Sequence, residues 1–106
     1  MYGFTTHVPA PREAYQAVHR AVMEVAGELG AGDGLVVHLA YATPEGFDVL
    51  EVWESRAQAD AFNATVIPVA MERAGLPMDG PSPEVEEFDP IGVLVPAVAA
   101  GATETG

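Results

Sequence analysis

One histidine interrupts an apolar strand pattern in the middle of the chain, and it is the first candidate for acid–base chemistry. Residues 35–42 read LVVHLAYA, apolar on both faces apart from His38 and Tyr41. Imidazole is the side chain best suited to proton transfer near neutral pH, so His38 is a candidate general base. The alternative is a core or interface histidine with one satisfied hydrogen bond. His7 is predicted to be a surface histidine at a strand end, and His19 has no predicted role.

Aromatic residues elsewhere in the chain could line a pocket beside this histidine. Tyr15, Trp53 and Phe62 would supply apolar walls, and the tyrosine hydroxyls could orient a flat aromatic ligand. Met71, on a predicted helix, would add soft and adaptable surface. Side chains of these types more often pack in a core than contact a ligand. The sequence leaves both interpretations open.

Signatures of a bound cofactor or metal are missing from the sequence. It has no cysteine, no glycine-rich phosphate loop after a strand, no serine nucleophile elbow and no HExxH motif. We therefore expect neither a cofactor nor a metal site. An acidic cluster near the C-terminus has the pattern of a charged edge strand, which discourages aggregation, and a hard-cation site there is the weaker alternative. It consists of Glu84, Glu86, Glu87 and Asp89.

The charge balance limits the classes of partner. Four arginines and no lysine face sixteen acidic residues, giving a formal charge of −12. Such a field repels nucleic-acid phosphates and anionic membranes, so neither is an expected partner. The N-terminus lacks a signal-peptide pattern, and no apolar run reaches the roughly 18 residues of a membrane span. We expect a soluble, cytoplasmic protein.

The first half of the chain predicts a strand, a helix and a hairpin. Alternation over 2–8 indicates strand one, and helical spacing of apolar residues over 12–29 indicates helix one, with Gly30 as its C-cap. Strand two covers 35–42, and the turn Thr43–Gly46 connects it to strand three at 47–53.

The second half predicts a helix and a last strand. Ser55 begins a capping box with Gln58, and helix two is expected to be interrupted or restarted at Pro68 before ending at Gly75. Residues 76–83 are loop-like in composition. The last strand is predicted over 84–95, with Pro90 forcing a bulge, bend or edge position. A featureless C-terminal tail is predicted for 96–106.

This β-α-β-β-α-β order predicts an α+β, ferredoxin-like fold. Four antiparallel strands would carry both helices on one face, which leaves the other face of the sheet bare. Hydrophobic residues make up 49% of the 106 residues, high for one small domain. A second copy stacked sheet to sheet would cover the bare face, so the sequence predicts a homodimer.

Short motifs add a resemblance to a known superfamily. The corner VWES at 52–55, the Ala-rich helix that follows it to Phe62, and Pro68 resemble the dimeric α+β barrel superfamily and its antibiotic-biosynthesis-monooxygenase-like (ABM-like) domains. The likeness covers nearly the whole domain, taken as residues 1–95. It implies a homodimer that oxidises aromatic, polyketide-like phenols with molecular oxygen and without metal or flavin. Phe62 stands where many members carry a histidine.

Two hypotheses follow from the residues and the resemblance together. In the first, the protein is a cofactor-independent oxygenase or cyclase of natural-product metabolism acting on a flat aromatic molecule. His38 is then the base, Tyr41 an orienting hydroxyl and Trp53 a pocket wall. Residues expected to contact the substrate are Trp53, Phe62, Tyr15 and Met71. In the second, the protein is a non-catalytic dimeric binding or accessory protein, which Phe62 in place of histidine favours.

Overall fold

The chain folds into two helices and one sheet, seen in a computed structural model that describes residues 1–75 and 83–94. Five of the six elements have bounds within one residue of the sequence prediction, and the exception is β4. The six elements are β1 (Tyr2–Val8), α1 (Arg12–Leu29), β2 (Leu35–Thr43), β3 (Gly46–Trp53), α2 (Arg56–Ala74) and β4 (Glu84–Phe88).

The sheet has the order β2-β3-β1-β4, and every neighbouring pair is antiparallel. Tyr2 pairs with Trp53 across β1 and β3, so Tyr2, Phe4 and Trp53 share the face that meets the helices. This is the predicted α+β, ferredoxin-like fold with both helices on one side. The side of the sheet away from the helices is called the open face below.

The core lies between the helices and the sheet. Phe4 and Trp53 from the sheet meet Val25 of α1 and Val66 of α2, and the last three of these are essentially inaccessible to solvent. Three buried alanines (Ala21, Ala59 and Ala70) complete the cluster with Phe62. Small side chains at these positions let the two helices approach the sheet closely.

Helix α2 begins as predicted but does not break where predicted. The Ser55 hydroxyl accepts a hydrogen bond from the Gln58 backbone N–H at 3.2 Å, which caps the helix. The expected interruption at Pro68 is wrong, because the helix continues through it to Ala74. Proline cannot donate to the carbonyl of Ala64, but both residues are exposed, so water can take that carbonyl.

The last strand is shorter than predicted. β4 ends at Phe88 rather than at Val95, and residues 89–94 are not strand. Pro90, which has no N–H to donate to a ladder, explains why pairing stops just before it. Three predicted features lie wholly or partly outside the described residues. They are residues 76–82 of the predicted loop, Val95 at the predicted end of the last strand, and the predicted tail at 96–106.

The open face combines apolar and polar side chains. Leu39 and Tyr41 of β2 are 52% and 45% exposed, and Leu39 pairs with Leu50 of β3. On the same face, the Phe88 ring lies directly over Gly3, where any side chain would overlap it. Among the described residues, no helix is long and apolar enough to cross a membrane.

Candidate functional site

Three aromatic rings stack between α1 and β2. Tyr15 and His19 lie one helical turn apart and so project from the same face of α1. His38 projects from β2 toward them. Ring centroids are separated by 5.3 Å for Tyr15–His19, 5.5 Å for His19–His38 and 6.1 Å for Tyr15–His38, with interplanar angles below 30°. The rings therefore hold one another in orientation.

A chain of hydrogen bonds runs from this stack into the core. The Tyr15 hydroxyl lies 2.9 Å from His38 Nε2, and His38 Nδ1 lies 2.8 Å from Glu51 Oε2. The Trp53 indole N–H donates to the other Glu51 oxygen at 2.9 Å. β-pairing places His38 directly opposite Glu51, and Glu51 and Trp53 are two residues apart on one strand face. The three strand residues are thus aligned by the register of the sheet.

The carboxylate decides which histidine nitrogen carries the proton. An ionised carboxylate only accepts hydrogen bonds, so Glu51 fixes the proton of neutral His38 on Nδ1. Nε2 then presents its lone pair to the Tyr15 hydroxyl, which donates to it. The Tyr15 hydroxyl is also 3.3 Å from His19 Nδ1. Carboxylate, imidazole and hydroxyl form the same sequence of groups that activates a nucleophile or moves a proton in acid–base catalysis.

Exposure falls along the chain of hydrogen bonds. The His38 side chain is 28% exposed, that of Glu51 13% exposed, and Trp53 is fully buried. A low-dielectric surrounding strengthens the bonds at the buried end, whereas the histidine end can exchange protons with solvent or a ligand. The arrangement can therefore accept a proton at His38 and stabilise the resulting positive charge with Glu51.

Two surface depressions lie at the ends of this chain of groups. The first, about 230 Å³, is lined by Arg12, Tyr15, Ala40, Tyr41, Ala42 and Phe47. The second, about 250 Å³, is lined by Gly30, Ala31, Gly32, Asp33, Trp53, Gln58, Ala61, Phe62 and Thr65. Tyr15 is among the residues that line the first, and Trp53 borders the second without any exposed surface of its own, so the hydrogen-bonded chain runs between the two depressions.

The two residues predicted to be catalytic lie on different faces of the sheet. His38 bonds to Glu51 and Tyr41 donates to Asp48 at 3.0 Å, and positions 48 and 51 of one strand point to opposite sides. Hydrogen bonding to Asp48 is the main cause that raises the pKa of Tyr41, because it favours the neutral phenol.

The predicted substrate-contacting residues are divided between the two depressions. Tyr15 lines the first, while Trp53 and Phe62 line the second and pack together with centroids 5.1 Å apart. Met71 is half-buried on α2 and lines neither. The structure thus separates a set that the sequence had grouped in one pocket.

Two groups at this site were not predicted from the sequence. Glu51 has no predicted role, although it is a charged residue between Val49 and Trp53 on the helix-facing side of β3. A carboxylate in that position is a signal that a partner is nearby, since buried charges are paired or hydrogen-bonded. His19 also joins the ring stack, and its spacing of four from Tyr15 was available in the sequence.

Comparison with solved structures identifies the fold. A crystal structure of an antibiotic biosynthesis monooxygenase is similar with a TM-score of 0.58 and 16% identity over 87% of this chain and 100% of that one. A Chloroflexus aurantiacus protein provisionally named an antibiotic biosynthesis monooxygenase gives 0.61 and 19%, over 89% of this chain and 96% of that one. A monooxygenase from the gene ActVA-Orf6 of Streptomyces coelicolor, solved with the ligand nanaomycin D, gives 0.50 and 22%, over 90% and 89%.

These likenesses confirm the predicted resemblance at the level of the fold. The chain has the ABM-like α+β fold across the greater part of its length. Fold similarity at this identity does not carry an activity with it. No protein-family model and no curated protein matches the sequence.

Proposed function

We propose that the protein is a cofactor-independent oxygenase or cyclase-type enzyme that acts on a flat aromatic small molecule. The observation that carries the proposal is the Glu51–His38–Tyr15 chain, which ends at a depression between α1 and β2. The ABM-like fold supports it, since a monooxygenase of this fold has been solved with nanaomycin D bound.

The chain of groups supplies a route for the substrate proton. A phenol or an activated CH bound beside Tyr15 passes its proton to the tyrosine oxygen while the tyrosine hydroxyl proton moves to His38 Nε2. The imidazolium that forms is stabilised by Glu51. The substrate anion then gives electrons to molecular oxygen. For an anthrone, one O₂ converts the ring CH₂ to a carbonyl and leaves one water, which balances atoms and electrons.

The size of the depression limits how such a substrate sits. At about 230 Å³ it is smaller than the roughly 300 Å³ of ordinary small-molecule sites. One ring would lie against Tyr15 and Phe47, which pack edge to face with centroids 5.5 Å apart, and the rest of a fused-ring molecule would extend past the rim. Arg12, exposed at that rim, would face the negative charge that develops on the ring oxygens.

Oxygen uptake with 1,8-dihydroxyanthrone tests the enzyme proposal. We expect His38→Ala and Tyr15→Phe to lower turnover by about 10²-fold or more, the usual contribution of a general base. Glu54→Gln is the matched control, because Glu54 is an exposed acid just beyond β3 and should leave turnover unchanged. A loss of less than about tenfold for His38→Ala would show that the histidine is not the base.

We also propose that the protein forms a homodimer through the part of the open face that β2 and β3 form. Leu39, Leu50 and Tyr41 leave an apolar surface there that a second copy would cover. Sedimentation analysis should give twice the chain mass of 11.1 kDa. Leu39→Glu should convert the dimer to a folded monomer. A wild-type monomer at about 100 µM would remove the dimer proposal.

The second candidate is a non-catalytic binding protein. Full burial of Trp53, whose N–H is already bonded to Glu51, and Phe62 in place of a histidine favour it. It predicts saturable binding of a flat aromatic compound, such as nanaomycin D, with no product after prolonged aerobic incubation. Product formation that depends on His38 would exclude it.

A further inference from the structure

A second histidine cluster lies on the open face, away from the proposed catalytic groups. His7 near the end of β1 is paired directly with Glu84 of β4, and Glu86 is two residues further along the same strand face. One ligand atom from each of these side chains lies within 4.8 Å of the other two. His7 Nε2 is 2.5 Å from Glu86 Oε1.

We propose that His7, Glu84 and Glu86 form a binding site for a divalent transition-metal ion, of which Zn²⁺ is the representative. Imidazole nitrogen and carboxylate oxygen are both ligands that Zn²⁺ takes in proteins. Three protein ligands leave a coordination position for water. Nothing in the proposed oxygenase chemistry uses this cluster.

The other ring nitrogen of His7, Nδ1, faces a carboxylate, as is usual for histidine ligands at metal centres. Asp48 Oδ1 lies 3.0 Å from His7 Nδ1, and its other oxygen accepts from the Tyr41 hydroxyl at 3.0 Å. Asp48 is only 8% exposed, so it is held in the sheet rather than mobile at the surface. A carboxylate on Nδ1–H fixes the tautomer that presents the Nε2 lone pair to a metal.

The local charge balance also favours a cation here. The carboxylates of Asp48, Glu84 and Glu86 converge on one imidazole. Among the described residues, the arginines that form ion pairs do so elsewhere: Arg56 with Asp60 and Glu87, and Arg73 with Glu24 and Glu28. A bound divalent ion would offset this concentration of negative charge, which adds to the overall −12.

Binding requires only small movements of exposed side chains. Zn–N and Zn–O bonds of about 2.1 Å in a tetrahedron place ligand atoms roughly 3.4 Å apart. The distance between His7 Nε2 and Glu86 Oε1 must widen from 2.5 Å to that value as the ion replaces the proton between them. Ligand atoms that are further apart, at up to 4.8 Å, must approach one another. The Glu86 side chain is 70% exposed and can turn without repacking. The ion would tie β4 to β1 and so secure the edge of the sheet.

Calorimetric titration of the tag-free, chelator-treated full chain with ZnCl₂ tests the site. We expect one ion per chain, with His7→Gln and Glu86→Gln each weakening the affinity at least tenfold. Asp48→Asn, which removes the supporting carboxylate, should cost about 10- to 100-fold. Glu87→Gln is the matched control, because Glu87 lies on the same strand but faces the helices and bonds to Tyr2. Circular dichroism checks that each variant is folded.

Two outcomes would overturn the site. Equal weakening by Glu86→Gln and Glu87→Gln would show diffuse attraction to acidic surface. Absence of binding at about 1 mM Zn²⁺ would exclude it as well. Histidine NMR resonances of the wild-type chain provide a check that needs no variant: Zn²⁺ should shift His7, and a shift confined to His38 and His19 would place the ion at the other cluster instead.

Discussion

Replacing Glu51 by glutamine should reverse the tautomer of His38 while leaving the fold in place. The carboxylate accepts from both His38 and Trp53, whereas an amide has one acceptor and one donor end. The amide oxygen would keep the Trp53 bond, and the amide NH₂ would face His38 Nδ1. The imidazole can satisfy that donor only by moving its proton to Nε2, where it would donate to the Tyr15 oxygen.

The expected cost in stability is modest. Hydrogen bonds to a charged group contribute about 1.5–3 kcal/mol and neutral ones about 1 kcal/mol, so two such replacements cost roughly 2 kcal/mol in total. For a chain of 106 residues, an unfolding entropy of about 2.1 cal/mol/K per residue converts this to a Tm lower by about 9 °C. Turnover, by contrast, should fall by about 10²- to 10⁴-fold, because Nε2 no longer offers a lone pair.

Long-range ¹H–¹⁵N correlation spectra assay the tautomer directly and need no substrate. With a neutral imidazole, the wild-type protein should show His38 protonated on Nδ1, and the Glu51→Gln variant should show it protonated on Nε2. Glu54→Gln serves as the control and should alter neither spectrum nor Tm. An Nε2-protonated His38 in the wild type would refute the assignment of the base, and with it the role proposed for Glu51.

Three further perturbations test other parts of the structure. Ser55→Ala removes the α2 cap and should cost about 1 kcal/mol, measured by urea unfolding; no change would mean that water caps the helix equally well. Gly3→Ala should displace the Phe88 ring and cost about 1–3 kcal/mol, an effect that disappears in a Phe88→Ala background. Hydrogen bonds to Asp48 and then to Glu86 raise the pKa of His7 above 6.5. Its contribution to stability is therefore complete below pH 6.5 and is lost as pH rises through the higher folded value, and Asp48→Asn should lower the pKa in an NMR titration.

Local sequence signals predicted the ends of elements where capping decides them. Gly30 ends α1 in the left-handed conformation, at φ 63°, and Ser55 begins α2 with its hydroxyl on the Gln58 N–H. The interruption predicted at Pro68 was wrong because the effect of a proline depends on whether the backbone carbonyl that loses its hydrogen bond is exposed to water. That exposure is a property of the folded molecule. The predicted length of β4 was wrong because strand pairing ends just before Pro90 instead of continuing beyond a bend at that residue.

The candidate site was predictable only in part. His38 stood out as a polar residue in an apolar strand, but its partners came from the register between β2 and β3 and from the docking of α1. Register and docking depend on contacts that are distant in sequence, and no local pattern specifies them. Strand alternation was sufficient, however, to place Tyr41, three residues from His38, on the opposite face. That step depends on period two alone.

The same alternation makes the two histidine clusters independent. Asp48 and Glu51 are three residues apart on β3, so one carboxylate supports His7 on the open face and the other supports His38 under the helices. The backbone of the sheet separates the two faces. Substitution of Asp48 should therefore change metal binding but not the tautomer of His38. Substitution of Glu51 should do the reverse. Coupling between the two measurements would require that the sheet itself shifts.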